Sequence, residues 1–225
     1  MHRTVGTLDR RTFVRRAALG LALLPLADVN ALRAWPLRRS RVALVRTADR
    51  RHGVAEALKL LDLRAVHDRR VVLKPNFNSA HEAPGSTHND TLAQLVLELH
   101  ERGARSITLG ESSGPPRTRR VMEEKGTFDL ARELRFDVVN FDELPESEWV
   151  PFPATGTHWP DGFHLPRVVV DSEYTVSTCC LKTHGFGGVF TMSLKLSVGL
   201  TPKPIRRGMH RSPDMRRMIA ELNAA

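Results

Sequence analysis

The segment from residue 179 to 200, CCLKTHGFGGVFTMSLKLSVGL, combines charged side chains with several glycines. Lysines are costly to bury, and glycines weaken regular secondary structure. A loop that contains both is typical of a backbone that approaches a negatively charged group or a metal ion. The candidate catalytic residues are Lys182, His184 and Lys195, with His184 also the candidate metal ligand, and the candidate cofactor-binding glycines are Gly185, Gly187 and Gly188.

Two further loops place polar residues directly after apolar runs. The first begins with Lys-Pro-Asn at 74–76 and continues to residue 88, and the second is GESSGPP at 110–116. Lysine offers a point charge and asparagine an amide that both donates and accepts hydrogen bonds. Ordinary polar turns are the alternative interpretation of both loops. The candidate cofactor-binding residues in them are Lys74, Asn76, His88, Glu111 and Ser112.

The elements that would position these loops alternate between short apolar runs and helical periodicity. The runs predict strands at 41–47, 69–75, 105–112 and 136–142, with one or two more within 167–184. The periodicity predicts helices at 53–63, 90–104, near 117–125, near 127–134 and at 213–223. Residues 143–166 show no clear period, and 189–200 fit either a helix or a loop. Thr87 with Asp90 resembles a capping box, and Gly103 is expected to end the second helix.

This alternation predicts an α/β fold with a mostly parallel sheet and helices on both faces, in a Rossmann-like three-layer arrangement. In such sheets, ligands bind outside the carboxyl ends of the strands. We therefore expect the loops 74–88, 110–118 and 181–189 to form the site.

The first 31 residues have the organisation of an export signal. Arg10 and Arg11 precede an apolar run from Ala17 to Ala27, which is shorter than the about 20 residues that a membrane-spanning helix needs. The order Arg-Arg-Thr-Phe-Val-Arg resembles the twin-arginine signal of bacteria. A buried or amphipathic N-terminal helix is the alternative, which Pro25 disfavours. We expect export by the twin-arginine machinery to the periplasm or cell exterior, no stable transmembrane anchor afterwards, and a single α/β domain at 41–225.

Charge and cysteine content narrow the class of partner. The formal net charge is +9, but the arginine doublets, Arg206-Arg207 among them, are scattered, and aromatic residues make up only 6%. This pattern predicts mostly solvated surface, with contact to anionic lipid or an anionic ligand as the alternative, and it argues against nucleic-acid binding. Cys179 and Cys180 are adjacent, which suits a disulfide poorly, and we interpret them as two buried thiols at a strand end. The chain contains no Cys-x-x-Cys motif, so we expect no iron–sulfur cluster ligated by this chain itself.

Four motifs in order resemble the bacterial and archaeal family called domain of unknown function 362. They are VVLKPN at 71–76, STHNDTLAQLVLELHERGA, ITLGESSG, and KTHGFGGVFTMSLKLSVG, and the resemblance covers roughly 41 to 223. Two positions depart from the family pattern, because Asn89 replaces a proline and Leu196 an asparagine. Relatives continue into further strands, which implies that the C-terminal part of the domain is missing here. The order of His184, a glycine-rich loop and Lys195 is also distantly similar to the nickel-pincer lactate racemase family.

The resemblance implies an exported protein that binds a metal, a metal-containing organic cofactor or another anionic cofactor for redox or isomerase-type chemistry. A redox partner protein is expected with it, since some family members are fused to an iron–sulfur module. Two alternatives stay open: a non-catalytic module that binds a ligand or partner through the same loops, and an inactive truncated remnant. The sequence does not decide whether the chain is an enzyme.

Overall fold

A computed structural model of the chain describes residues 40–61, 64–184 and 188–225. Most of its strands follow the runs predicted above, and four of them form one parallel sheet. The strands are β1 Arg70–Pro75, β2 Ser106–Glu111, β3 Asp137–Asn140, β4 Trp149–Phe152, β5 Phe163–Pro166, β6 Tyr174–Thr178, β7 Lys182–His184 and β8 Gly188–Thr191. The pairs β4–β5 and β7–β8 are separate antiparallel ribbons.

Helices connect and cover these strands. They are α1 Arg50–Leu61, α2 Asn89–Glu101, α3 Thr118–Glu124, α4 Thr127–Leu134, α5 Arg167–Val170, α6 Ser193–Leu196, α7 Lys203–Arg211 and α8 Met215–Leu222. Short 3-10 helices lie at Arg64–Val66, Phe141–Glu143, Glu146–Glu148 and Ser197–Leu200. Within the described ranges, no helix has both the length and the apolar character to cross a membrane.

The strand order β3-β2-β1-β6 creates a switch point beside β1. From β1 the chain moves outward to β2 and then β3, and it later returns to the other side of β1 as β6. Leu73 of β1 is therefore paired with Leu109 of β2 on one side and with Val176 of β6 on the other. The loops after β1 and β6 leave the sheet in different directions, which opens a crevice at their carboxyl ends.

Two apolar cores pack against the sheet. One contains Leu73, Leu92 and Leu109, and the other contains Phe141 and Trp159. Val138 of β3 packs against the first core, whereas its neighbour Val139 packs against the second. Because successive side chains of a strand point to opposite faces, the two cores lie on opposite sides of the sheet. The predicted α/β fold with a mostly parallel sheet is confirmed.

Several local predictions are confirmed. The strands expected at 69–75, 105–112 and 136–142 form as β1, β2 and β3, and the five predicted helices form as α1, α2, α3, α4 and α8. Gly103 follows α2 with a φ of 76°, a left-handed conformation that glycine adopts without steric cost. The stretch 167–184 contains the short helix α5 in addition to β6 and β7.

Two predictions are wrong. The run 41–47 is not a strand, and Val42 and Leu44 are 85% and 93% exposed. A β-branched run becomes a strand only where another strand can pair with it, and its composition cannot specify that neighbour. The capping box is also wrong, because the side chain of His88, not Thr87, caps α2 by accepting from the backbone N–H of Asp90.

The stretch 189–200, predicted as a helix or a loop, begins with the strand β8 before it forms α6. The ribbon β4–β5 and helix α7 were not predicted from the sequence. The ribbon β4–β5 lies in the stretch 143–166, where prolines and loops interrupt the alternation of apolar and polar residues that marks a strand. The rings of Phe152 and Phe163 stack in this ribbon with their centroids 5.0 Å apart. Helix α7 begins after Pro202 and is mostly polar. Burial of its Met209 in the second core holds it against the domain.

We predict that two glycine substitutions have opposite effects on stability. A Cβ added at Gly110 would overlap the ring of Phe141, whereas nothing lies within 4 Å of a Cβ added at Gly208 in α7. Gly110→Ala should lower the free energy of unfolding by about 1–3 kcal/mol, because it overpacks the second core. Gly208→Ala should raise it by up to about 1 kcal/mol, because alanine is the better helix former. Urea unfolding measures both, and equal effects would contradict the packing described here.

Candidate functional site

A cavity of about 550 Å³ lies at the carboxyl ends of β1, β2 and β6, beside the switch point. The loops after these strands form one wall, and α6, the following 3-10 helix and α7 form the other. Its lining is strongly basic. The basic side chains are Lys74, Lys182, Lys195, Lys203, Arg206 and Arg207, and the carboxylate among the lining residues is Glu111.

Lys74 and Glu111 form a buried ion pair at the base of the cavity. Their side chains are 1% and 3% exposed, and Lys74 Nζ contacts Glu111 Oε1 directly. Lys74 Nζ also donates to the Pro75 carbonyl at 2.9 Å. Burial lowers the pKa of Lys74, while the Glu111 carboxylate opposes that shift by favouring the ammonium.

The Glu111 carboxylate also fixes two loops. Its Oε2 accepts from the backbone N–H of Phe77 at 2.9 Å, and its Oε1 accepts from that of Ser112 at 2.8 Å. Gly199, in the 3-10 helix Ser197–Leu200, lies against the pair, and a Cβ there would come within 3.0 Å of Lys74 Nζ. The absence of a side chain at Gly199 therefore lets this helix close over the ion pair.

Arg206 anchors α7 to the loop after β2. It is 8% exposed, and its guanidinium donates to the carbonyls of Thr201, Ser112 and Ser113 at 2.7, 3.0 and 3.1 Å and also contacts the Ser112 hydroxyl. The prediction that the Arg206-Arg207 doublet is solvated surface is therefore wrong for Arg206, whereas Arg207 is exposed. The Arg206 guanidinium therefore makes its hydrogen bonds to groups of the protein itself.

Lys203 is likewise occupied, because its Nζ lies 2.6 Å from Asp142 Oδ2. Burial alone would raise the pKa of Asp142, but hydrogen bonds from Lys203, Ser112 and Thr118 outweigh it and lower that pKa. The charge of Lys203 is therefore compensated within the protein.

Lys195 and His210 face each other across the cavity wall. Lys195 Nζ lies 3.4 Å from His210 Nε2, and His210 Nδ1 lies 2.8 Å from the Arg206 carbonyl. Burial and then the charge of Arg206 lower the pKa of Lys195. Burial and then the charge of Lys195 lower the pKa of His210, which keeps the imidazole neutral near pH 7.

Lys182, Lys195 and Arg207 have no carboxylate within 4.0 Å in the part of the chain that the structure describes. Lys182 Nζ instead donates to the Gly85 carbonyl. Among the described residues, these three cationic groups thus face the cavity without an acidic side chain beside them, which makes them candidates to bind a negatively charged ligand.

The structure brings six of the predicted site residues together and separates one. Lys74, Asn76, Glu111, Ser112, Lys182 and Lys195 all line the cavity. His88 does not line it. It caps α2 and borders a second depression of about 510 Å³ between α1, α2 and β6.

The glycine loop of the predicted site lies partly outside the described residues. Gly185 and Gly187 lie outside the described residues, which end at 184 and resume at 188. Gly188 is the first residue of β8, and it pairs with His184, the last residue of β7. The predicted metal-ligating role of His184 concerns a side chain that also lies outside the described part. Among the residues described, no three His, Cys, Asp or Glu side chains are arranged to hold a metal ion.

The two cysteines differ from their predicted environment. Cys179 and Cys180 are unpaired thiols, but both are only partly buried and both line the cavity. The interpretation of two buried thiols is therefore wrong, because the chain turns away from β6 at this point and leaves them at the edge of the crevice.

Helix α7 supplies the site residues that sequence reasoning missed. Lys203, Arg206, Arg207 and His210 are spaced i, i+3, i+4 and i+7, which places them on one face of a helix. Pro202 just before this face, with the basic spacing, was the available signal. An amphipathic pattern made of charged rather than apolar residues is easily taken for surface.

The fold and the cavity define an α/β protein with a cationic crevice at the switch point of a parallel sheet. The family model described as "Domain of unknown function (DUF362)" matches residues 71–225, well over half of the chain. The chain belongs to this family, which confirms the resemblance seen in the motifs. A search of curated proteins finds no match to the chain.

We predict that Glu111→Gln destabilises the fold strongly. It would leave the Lys74 ammonium buried without a counter-charge, a loss of about 3–5 kcal/mol. The control is Asp129→Asn, which removes an ion pair with side chains 75% and 78% exposed and should cost under about 1 kcal/mol. Urea unfolding compares the two variants. Equal losses would show that the buried pair is not the stabilising element described here.

Proposed function

We propose that this chain binds an anionic organic molecule, a cofactor or substrate with carboxylate or phosphate groups, in the cavity beside the switch point. The observation that carries the proposal is the set of three cationic groups, Lys182, Lys195 and Arg207, that face the cavity without a carboxylate in the described part of the chain. Partly buried positive charge is costly unless an anion compensates it, so a bound anion would relieve that cost.

The position and size of the cavity support a small molecule rather than a macromolecule. It opens at the carboxyl ends of parallel strands, where α/β proteins bind ligands. Its volume of about 550 Å³ falls within the range of small-molecule sites.

The three cations would act at different depths. Arg207 is exposed at the rim, where its charge would attract an anion from solution. Lys182 and Lys195 are partly buried, and hydrogen bonds from them to a bound anion would be stronger in the less polar interior. The buried Lys74–Glu111 pair would hold the loop backbones in place without contributing net charge.

The reaction class is proposed from the resemblance. Redox or isomerase-type chemistry on a metal-containing or anionic cofactor is what the family and the more distant lactate racemases suggest. The basic cavity suits the anionic part of such a cofactor, and the metal-ligating role of His184 stays a prediction.

We predict that anion binding depends on Lys195. Isothermal titration with oxalate and with inorganic pyrophosphate should show binding that weakens as salt is added. Lys195→Met should raise the Kd about 10- to 100-fold, as expected for loss of one charge-assisted hydrogen bond. The matched control is Lys59→Met, because the Lys59 side chain is 76% exposed on α1. Unchanged affinity in Lys195→Met, or equal losses in both variants, would contradict the proposal.

We further propose that the chain is exported by the twin-arginine pathway. The support is the sequence Arg-Arg-Thr-Phe-Val-Arg at 10–15 followed by a short apolar run. We predict that replacing Arg10 and Arg11 together with lysine retains the protein in the cytoplasm, since the twin-arginine machinery recognises the arginine pair. Cell fractionation measures this, with Arg38→Lys and Arg39→Lys as the control pair. Export of the Arg10 and Arg11 variant at the normal level would contradict the assignment.

A further inference from the structure

Three of the lysines that line the cavity have different partners. Lys74 is buried against Glu111, and Lys182 donates to the Gly85 carbonyl. Lys195 instead faces a ring nitrogen of His210. A carboxylate holds an amine in its charged form, whereas a neutral imidazole nitrogen can accept a proton from it.

The hydrogen bonds fix which nitrogen of His210 accepts. His210 Nδ1 lies 2.8 Å from the Arg206 carbonyl, and a carbonyl can only accept, so Nδ1 carries the proton. In the neutral ring, Nε2 then presents a lone pair, and this is the atom 3.4 Å from Lys195 Nζ. The backbone of α7 thus orients His210 as a proton acceptor toward Lys195.

The surroundings of Lys195 also make its proton easier to remove. The side chain is partly buried at the cavity wall, and the neighbouring Arg206 is cationic. Burial and an adjacent cation are the two means by which proteins convert a lysine into a nucleophile. A neutral amine beside cationic groups is suited to a ligand that combines an acid with an electrophilic carbon.

We propose that Lys195 forms an imine with the ligand, and that the ligand is an anionic carbonyl compound such as a 2-oxo acid or a phosphorylated aldehyde. The inference rests on the proposed anion-binding function and adds the substrate class. Lys182 and Arg207 would bind the acidic group of the ligand, and Lys195 would react with its carbonyl carbon.

The chemistry needs no oxidant or reductant. Lys195 Nζ passes a proton to His210 Nε2, and its lone pair then forms a bond to the carbonyl carbon as the C–O π bond breaks. A proton moves from this nitrogen to the new alkoxide oxygen, which gives the carbinolamine. Its hydroxyl then takes up the proton held by His210 and leaves as water, and a protonated carbon–nitrogen double bond remains. The net change is amine plus carbonyl to imine plus water.

Reductive trapping tests this inference on the purified full chain. The probes are pyruvate and glyoxylate, with sodium cyanoborohydride as the reductant that converts an imine to a stable secondary amine. Peptide mass mapping should find the adduct on Lys195, with Lys182 and Lys59 unmodified, and added oxalate should protect Lys195. Lys195→Arg should abolish the adduct, because a guanidinium does not form an imine. Calorimetry on the wild-type chain measures oxalate binding separately.

The outcomes separate this inference from the proposed function. Oxalate binding without an adduct on Lys195 overturns the imine and leaves the anion site standing. If neither oxalate binding nor an adduct on Lys195 is observed, the imine and the proposed anion site are both overturned. Modification of the exposed Lys59 at the same rate as Lys195 also overturns the inference, because it shows that the cavity gives Lys195 no special reactivity.

A second variant tests the role of His210 apart from its packing. His210→Ala should slow trapping at Lys195 roughly 100-fold, the scale of one general acid–base group. Added imidazole should restore much of the rate, since it supplies the missing proton acceptor. Slow trapping that imidazole does not restore would contradict the proton-acceptor role, and an unchanged rate would do the same.

Discussion

The buried ion pair between Lys74 and Glu111 is the interaction on which the rest of the site depends. It joins the carboxyl ends of two neighbouring parallel strands, and its carboxylate also fixes the backbone of the next loop residues. Because both charges lie almost entirely out of water, neither can lose its partner without a large cost. The close approach of Gly199 lets a third element cover the pair. The loops at the base of the cavity are therefore joined by several polar contacts, and the two charges of the pair compensate each other.

This arrangement determines which charges are left for a ligand. Arg206 and Lys203 are also used within the protein, as an anchor of α7 and as the partner of Asp142. The remaining cations among the lining residues lie on β7, on α6 and on α7. The structural charges thus build the cavity, while a different set of charges faces its interior. This division explains how a basic site can be both well packed and open to an anion.

Parts of this organisation are readable in the sequence and parts are not. The runs that end at Lys74 and Glu111 predict buried strands, and strand ends at a shared edge predict that the two residues lie in one site. That they neutralise each other depends on the parallel register of strands 37 residues apart, which no local pattern encodes. The strand predicted at 41–47 is wrong for the same reason, because a strand forms beside a partner strand and composition does not specify that partner. The sequence does not predict the burial of Arg206, because that burial depends on carbonyl groups that the fold brings around its guanidinium.

We propose that the cavity holds an anion through cations that have no acidic partner in the described part of the chain. A crystal structure of the protein grown with oxalate tests this most directly. We expect oxalate in the cavity, with its oxygens within hydrogen-bond distance of Lys195 Nζ and of Lys182 or Arg207. An acidic side chain of the chain paired with Lys195, or a cavity without oxalate in a crystal that contains it elsewhere, would contradict the account.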